Sequence, residues 1–204
     1  MRPLHTPICV LAAGATLSLA TSASAFTWTE AIDGDLSGNR LAPSAFVASA
    51  GANVLSMTSG SASGSTDRDY FTITVPGGLQ LSSIRLLAAE VDGAVSFIGV
   101  QAGSVFTEPA IGANVANLLG WHHFAGAEAG TDILDDIASG AGSIGFTPPL
   151  ASGAYTFWAQ DFGFEASYSM RFDLTPIPEP GAVTLLAGGI AMLARWRRSP
   201  GSSR

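Results

Sequence analysis

The chain has 204 residues, 47% of them hydrophobic, and its nine basic residues are all arginine. Sixteen carboxylates bring the net charge to −7, but that figure hides an asymmetry. Between Phe26 and Pro176, four arginines face fifteen Asp and Glu residues, a net charge of −11 that argues against a phosphate backbone and so against nucleic acid as partner.

The N-terminus reads as an export signal, residues 1–25. Arg2 and His5 form a weakly basic start, Ile8 to Ala20 is apolar, and Ala23-Ser24-Ala25 is a small-x-small cleavage site before Phe26. The only cysteine, Cys9, lies inside this segment. The mature chain therefore has no disulfide, no thiolate metal site and no cysteine nucleophile.

Residues 26–175 form one domain by length, enough for a sizeable core. Asp33-Gly34-Asp35-Leu36-Ser37-Gly38 loosely follows the start of an EF-hand loop, but Ser44 stands where a bidentate Glu is required. Two readings stay open: a structural calcium site on Asp33, Asp35 and Ser37, or an Asx-turn in which these side chains bond their own backbone. Asp67 and Asp69 share that choice. No other cofactor is expected. Ile32, Phe46, Val54 and Leu55 mark weak strands. Ser56 to Thr66, rich in Ser, Gly and Thr, reads as a loop.

Asp69 to Val75 alternates strictly, with Phe71, Ile73 and Val75 on one face, and Pro76-Gly77-Gly78 ends it. Leu79 to Glu90 and Val95 to Gln101 are strands flanking Asp92-Gly93. His122 and His123 are adjacent, so they point apart, and spacing suggests no third metal ligand. Thr131 to Ser139 reads as the one short helix, with Thr131 as its cap. Ala141-Gly142-Ser143-Ile144-Gly145 lacks the first glycine and the long helix of a nucleophile elbow. A secreted hydrolase is accordingly disfavoured, and the chain is read as a non-enzyme.

Ala154 to Asp161 and Phe164 to Leu174 read as a hairpin across Phe162-Gly163, pairing Phe157 with Tyr168 and Thr156 with Ser169. One face is apolar throughout and the other polar. Trp158 falls on the polar face, where it would either stack on a sugar ring with Gln160 and Glu165 at the hydroxyls, or be covered by a loop. Strands at this density with one small helix predict an all-β fold, a jelly-roll-like β-sandwich.

The last segment, residues 176–204, has three parts in order. Pro178-Glu179-Pro180 is followed by the apolar run Gly181 to Ala194 and by Arg195-Trp196-Arg197-Arg198. The run has 14 residues, against about 20 for a full span. It has no polar face, and Arg195, Arg197 and Arg198 form a basic stop that the positive-inside rule places in the cytoplasm. It is read as a transmembrane helix.

This tripartite tail resembles the PEP-CTERM sorting signal of Gram-negative bacteria. The resemblance implies an exosortase as partner, acting near Pro178-Glu179-Pro180, and an inner-membrane anchor used in transit. It further implies a cell-surface or extracellular-matrix protein associated with extracellular polysaccharide. Asp69 to Gly78 and Ser152 to Phe157 resemble strand-turn stretches of pre-peptidase C-terminal domains, small sandwiches found beside secreted bacterial enzymes, which implies a non-catalytic role. The alternative function is a carbohydrate-binding module using Trp158.

Overall fold

The computed structural model describes residues 24–60, 66–90, 95–161 and 165–178. Ala25 and Pro178 lie among them. Ala23 with the rest of the expected export signal, Glu179, Pro180, the apolar run and Arg195, Arg197 and Arg198 lie outside the described residues. No described helix is long and apolar enough to cross a membrane.

Nine strands are described: β1 (Thr27–Thr29), β2 (Ser44–Val47), β3 (Gly51–Ser59), β4 (Arg68–Val75), β5 (Leu79–Glu90), β6 (Ser96–Ala102), β7 (Gly120–Phe124), β8 (Gly153–Gln160) and β9 (Ala166–Pro176). Two short helices, α1 (Glu30–Asp33) and α2 (Leu134–Ala138), accompany them. The strands form a four-stranded sheet in the order β1-β3-β9-β5 and a five-stranded sheet in the order β2-β4-β8-β6-β7. The fold is an all-β sandwich.

Period-two alternation builds the core. Phe71, Ile73 and Val75 of β4 are buried, as their spacing predicts. On β9, Ala166, Tyr168, Met170, Phe172 and Leu174 are buried, while Ser167, Ser169, Arg171 and Asp173 are only partly so. Phe172 of one sheet meets Phe71 and Phe157 of the other edge-on, at ring separations of 6.0 and 5.6 Å. Each such fully buried side chain contributes roughly 1.5–3 kcal/mol relative to exposure.

The hairpin across Phe162-Gly163 is not formed. β8 pairs with β4 and β6, whereas β9 pairs with β3 and β5 in the opposite sheet. The inward and outward assignments on β9 hold, but the predicted partners do not: Phe157 pairs with Phe71, and Tyr168 with Met57. Alternation records which face is buried and is silent about which strand lies alongside. A crossing between sheets therefore satisfies it as well as a hairpin does.

Three smaller differences have local causes. Ile32 belongs to α1, not to a strand, and is 82% exposed. Ser56 to Ser59 belongs to β3, where Leu55, Met57 and Ser59 point inward; the loop is shorter than its composition suggests. Thr131 does not cap α2. Its hydroxyl donates to the Glu128 carbonyl, and Asp132 Oδ1 accepts from the amides of Leu134 and Ile84 instead.

The outer face of the five-stranded sheet is not open. Residues 103–119 cross it and form a second apolar cluster of Tyr70, Phe97, Phe106, Leu118 and Trp158. Gln101 pins this cover, accepting from the Thr107 amide and donating to the Asn117 carbonyl.

Candidate metal centre

Glu30, Asp35 and Asp69 converge at one end of the sandwich. Each offers one carboxylate oxygen, and the three oxygens lie within 4.8 Å of one another. They come from separate elements. Glu30 opens α1 directly after β1, Asp35 follows α1, and Asp69 is the second residue of β4 in the opposite sheet.

Glu30 is held by local bonding. Its Oε1 accepts from the Leu36 amide at 2.9 Å, and its Oε2 accepts from the amide and hydroxyl of Thr58 on β3. A carboxylate has about four lone-pair sites, so capacity remains after these three bonds. Asp69 is in the opposite condition. It is 0% exposed, and neither carboxylate oxygen has a hydrogen-bond partner among the described residues. Its place on β4 explains the burial. Asp69 shares the inward parity of Phe71, Ile73 and Val75, so the strand that builds the core also turns this carboxylate inward.

The electrostatics run one way. Burial, and after it the charges of Glu30, Asp67 and Asp35, together push the Asp69 carboxyl up to about 9. Burial also raises Glu30, against the pull of its three hydrogen bonds. Asp67 is raised by burial and then by Asp35. An oxygen-only set of this kind suits a hard cation and offers nothing to a soft one.

Of the calcium candidates read from the sequence, Asp35 and Asp69 take part, whereas Asp33, Ser37 and Asp67 are not in the cluster. Asp33 Oδ2 accepts from the Thr29 amide across α1. The Ser37 hydroxyl donates to the Ala42 carbonyl and accepts from the Asn39 amide, as a turn residue does. Glu30 and Asp69, the two better-placed groups, were not singled out as a pair, because 39 positions separate them. One signal was present: the parity of Phe71, Ile73 and Val75, extended one step back, puts Asp69 in the core.

A second group of donor side chains joins His122, Glu128 and Asp136. Spacing alone did not suggest it, since a turn at Gly126–Glu128 and α2 bring the acids round. His122 Nε2 lies 2.8 Å from Glu128 Oε1, while Glu128 Oε2 accepts from the Ala125 amide. Glu128 is thus already occupied on both oxygens. His123 points away and packs against Phe97 and Trp121.

Trp158 is only 4% exposed. Its ring is stacked with Tyr70 and meets Phe97 and Phe106 edge-on, so it offers no platform to a sugar. Gln160 is buried as well and accepts from Arg68 Nε, while Glu165 is exposed. The reason is the cover of residues 103–119, which alternation on β8 does not record. Compared with family models, curated proteins and solved structures, the chain has no significant match.

Proposed function

We propose that the chain is an exported, non-catalytic β-sandwich, sorted at its C-terminus by an exosortase and delivered to the cell surface or extracellular matrix beside polysaccharide. The observation that carries this reading is a coincidence of boundaries. Phe26, the first residue after the expected cleavage site, is docked: its carbonyl accepts from the Val54 amide and its ring stacks on Phe46. At the other end β9 stops at Pro176, two residues before Pro178. The packed domain thus fills the interval between the two targeting segments.

The finer reading of the sandwich is jelly-roll-like. The chain changes sheet at each of its first five connections, and β3, β9 and β5 face β4, β8, β6 and β7 as nested Greek keys would. Beside β5, where another strand would complete the pattern, stand the isolated bridges Arg85–Asp132 and Leu81–Leu150.

The non-catalytic part of the reading rests on the chemistry at hand. His122 is engaged by Glu128, and the Ser143 hydroxyl donates to the Gly140 carbonyl rather than to a base. Expression in an exosortase-bearing host, with intact mass of the mature protein, tests the sorting. Removal of the N-terminal 25 residues and of the tail is expected. Glu179→Ala or loss of the exosortase should leave the tail attached, and tail removal that survives both changes overturns the reading.

A second reading, a carbohydrate-binding module, has one observation in its favour. An open pocket of about 360 Å³ is lined by Asn39, Arg40, Arg68 and Tyr70. Two of the four arginines of this acidic domain meet there, an arrangement suited to a uronic acid carboxylate. Arg40→Ala and Arg68→Ala would each abolish retention on a polyuronate column; retention unchanged by both eliminates this pocket.

A further inference from the structure

We propose that Glu30, Asp35 and Asp69 form a calcium site that fastens one sheet of the sandwich to the other. The inference does not depend on where the chain is delivered.

Clustered carboxylates alone would not carry it. The second observation is Asp69 itself, fully buried, with both oxygens unpartnered and one of them aimed at the oxygens of Glu30 and Asp35. A buried carboxylate without a donor is an exception that demands a partner. The cluster around it supplies more acid rather than a donor, so its partner is a proton held between the carboxyls when the site is empty and a cation when one is bound.

Calcium fits best. It takes 6–8 oxygens at about 2.3–2.6 Å, so two ligands of one ion stand up to about 5.2 Å apart. The three oxygens already lie within 4.8 Å of one another. Magnesium holds its ligands at about 2.0–2.1 Å and would require a tighter set with near-octahedral geometry. Zinc would call for nitrogen or sulfur donors, which this cluster lacks.

The placement gives the ion a mechanical role. Glu30 is bonded to Thr58 of β3 and to Leu36, whereas Asp69 belongs to β4. A cation between them ties the α1 segment and the first sheet to the second sheet, at the end where the chain enters the domain.

Thermal unfolding and calorimetric titration of the purified full-length chain test this, comparing calcium chloride with EGTA. With a Kd near 10⁻⁴ M, the midpoint should rise by about 5–10 °C at a hundredfold calcium excess. Magnesium at the same concentration should raise it by less than half as much. Asp69→Asn should abolish the calcium shift while unfolding in EGTA close to the wild-type temperature, because without an ion the buried carboxyl is already kept protonated and the neutral amide matches its shape. Asp35 is exposed, so Asp35→Asn should leave unfolding in EGTA unchanged and weaken calcium binding about tenfold. Equal midpoints of the wild type in calcium and EGTA overturn the proposal. So does a wild-type calcium shift in Asp69→Asn, wild-type affinity in Asp35→Asn, or a magnesium shift as large as that of calcium.

Discussion

The α-carbon of Gly120 lies directly against the main-chain carbonyl of Ile137. A Cβ at Gly120 would run into that carbonyl oxygen and approach the Phe146 ring to 3.1 Å. This contact seats α2 on β7 and buries Leu134 and Ile137 in the main core. Backbone cannot yield as a side-chain tip can. Gly120→Ala should therefore cost about 3 kcal/mol and lower the unfolding midpoint by about 10 °C, as calorimetry would show. A midpoint within a degree or two of wild type would mean that α2 is not held this way.

Asn53 organises the turn before β3 from inside. It is 0% exposed, its amide donates to the carbonyls of Ser49, Gly51 and Phe172, and its Oδ1 accepts from the amides of Ser49 and Phe26. Asn53→Asp keeps the shape but faces three carbonyls with an acceptor. A loss of at least about 3 kcal/mol in denaturant unfolding at neutral pH is expected, no smaller than for Asn53→Ala. A near-neutral Asn53→Asp would refute the network.

Trp158 supports the cover of residues 103–119 from beneath. Trp158→Ala should cost about 3–5 kcal/mol through the cavity it leaves. Its Nε1 is buried without a partner among the described residues, so Trp158→Phe removes an orphaned donor along with some contact area. The phenylalanine variant should therefore lose less than half as much as the alanine variant. Equal losses in urea titration would contradict the account of the orphaned donor.

Much of the core was legible because strand alternation is a local property: Phe71, Ile73, Val75 and the inward row of β9 follow from spacing alone. What lies beside each strand is not local. Phe157 pairs with Phe71, 86 positions earlier, and the short connection to β9 says nothing of this. Trp158 was assigned to the correct face, but its cover comes from a distant loop. The metal centre was half legible for the same reason. Asp35 lies in a recognisable acidic run, whereas Glu30 and Asp69 meet only when the two sheets are stacked.

His123 is an exposed residue of β7 whose ring is only partly desolvated, and this partial burial first, then His122 beside it, holds it below its ordinary value of 6.5. The faces packed on it are the rings of Phe97 and Trp121, which offer no countercharge. Below pH 6.5 the unfolded chain takes up a proton that the folded chain resists. The His123 contribution to stability is thus complete above 6.5 and lost as pH falls through the folded value. In ¹H–¹⁵N spectra His123 should titrate below a free histidine, and His123→Gln should flatten the fall in stability on the acidic side. Titration at or above 6.5 would contradict this account of the ring's surroundings.

The crossing between sheets at β8 and β9 can be tested by crosslinking, since Cys9 is the only cysteine and lies far outside both strands in the sequence. Ser56 and Ser169 are paired across β3 and β9, with their hydroxyl oxygens 3.0 Å apart. The Ser56→Cys/Ser169→Cys variant should form a disulfide without disturbing the sheet, closing a long loop and adding up to about 4 kcal/mol. Thr156 and Ser169 would be neighbours in a hairpin. Instead the Thr156 hydroxyl bonds Thr72 and the Gly103 carbonyl in the five-stranded sheet, while Ser169 sits in the other. Thr156→Cys/Ser169→Cys should stay reduced under the same mild oxidation. Mass spectrometry of the two variants separates the topologies, because a bridge in the second and none in the first would restore the hairpin.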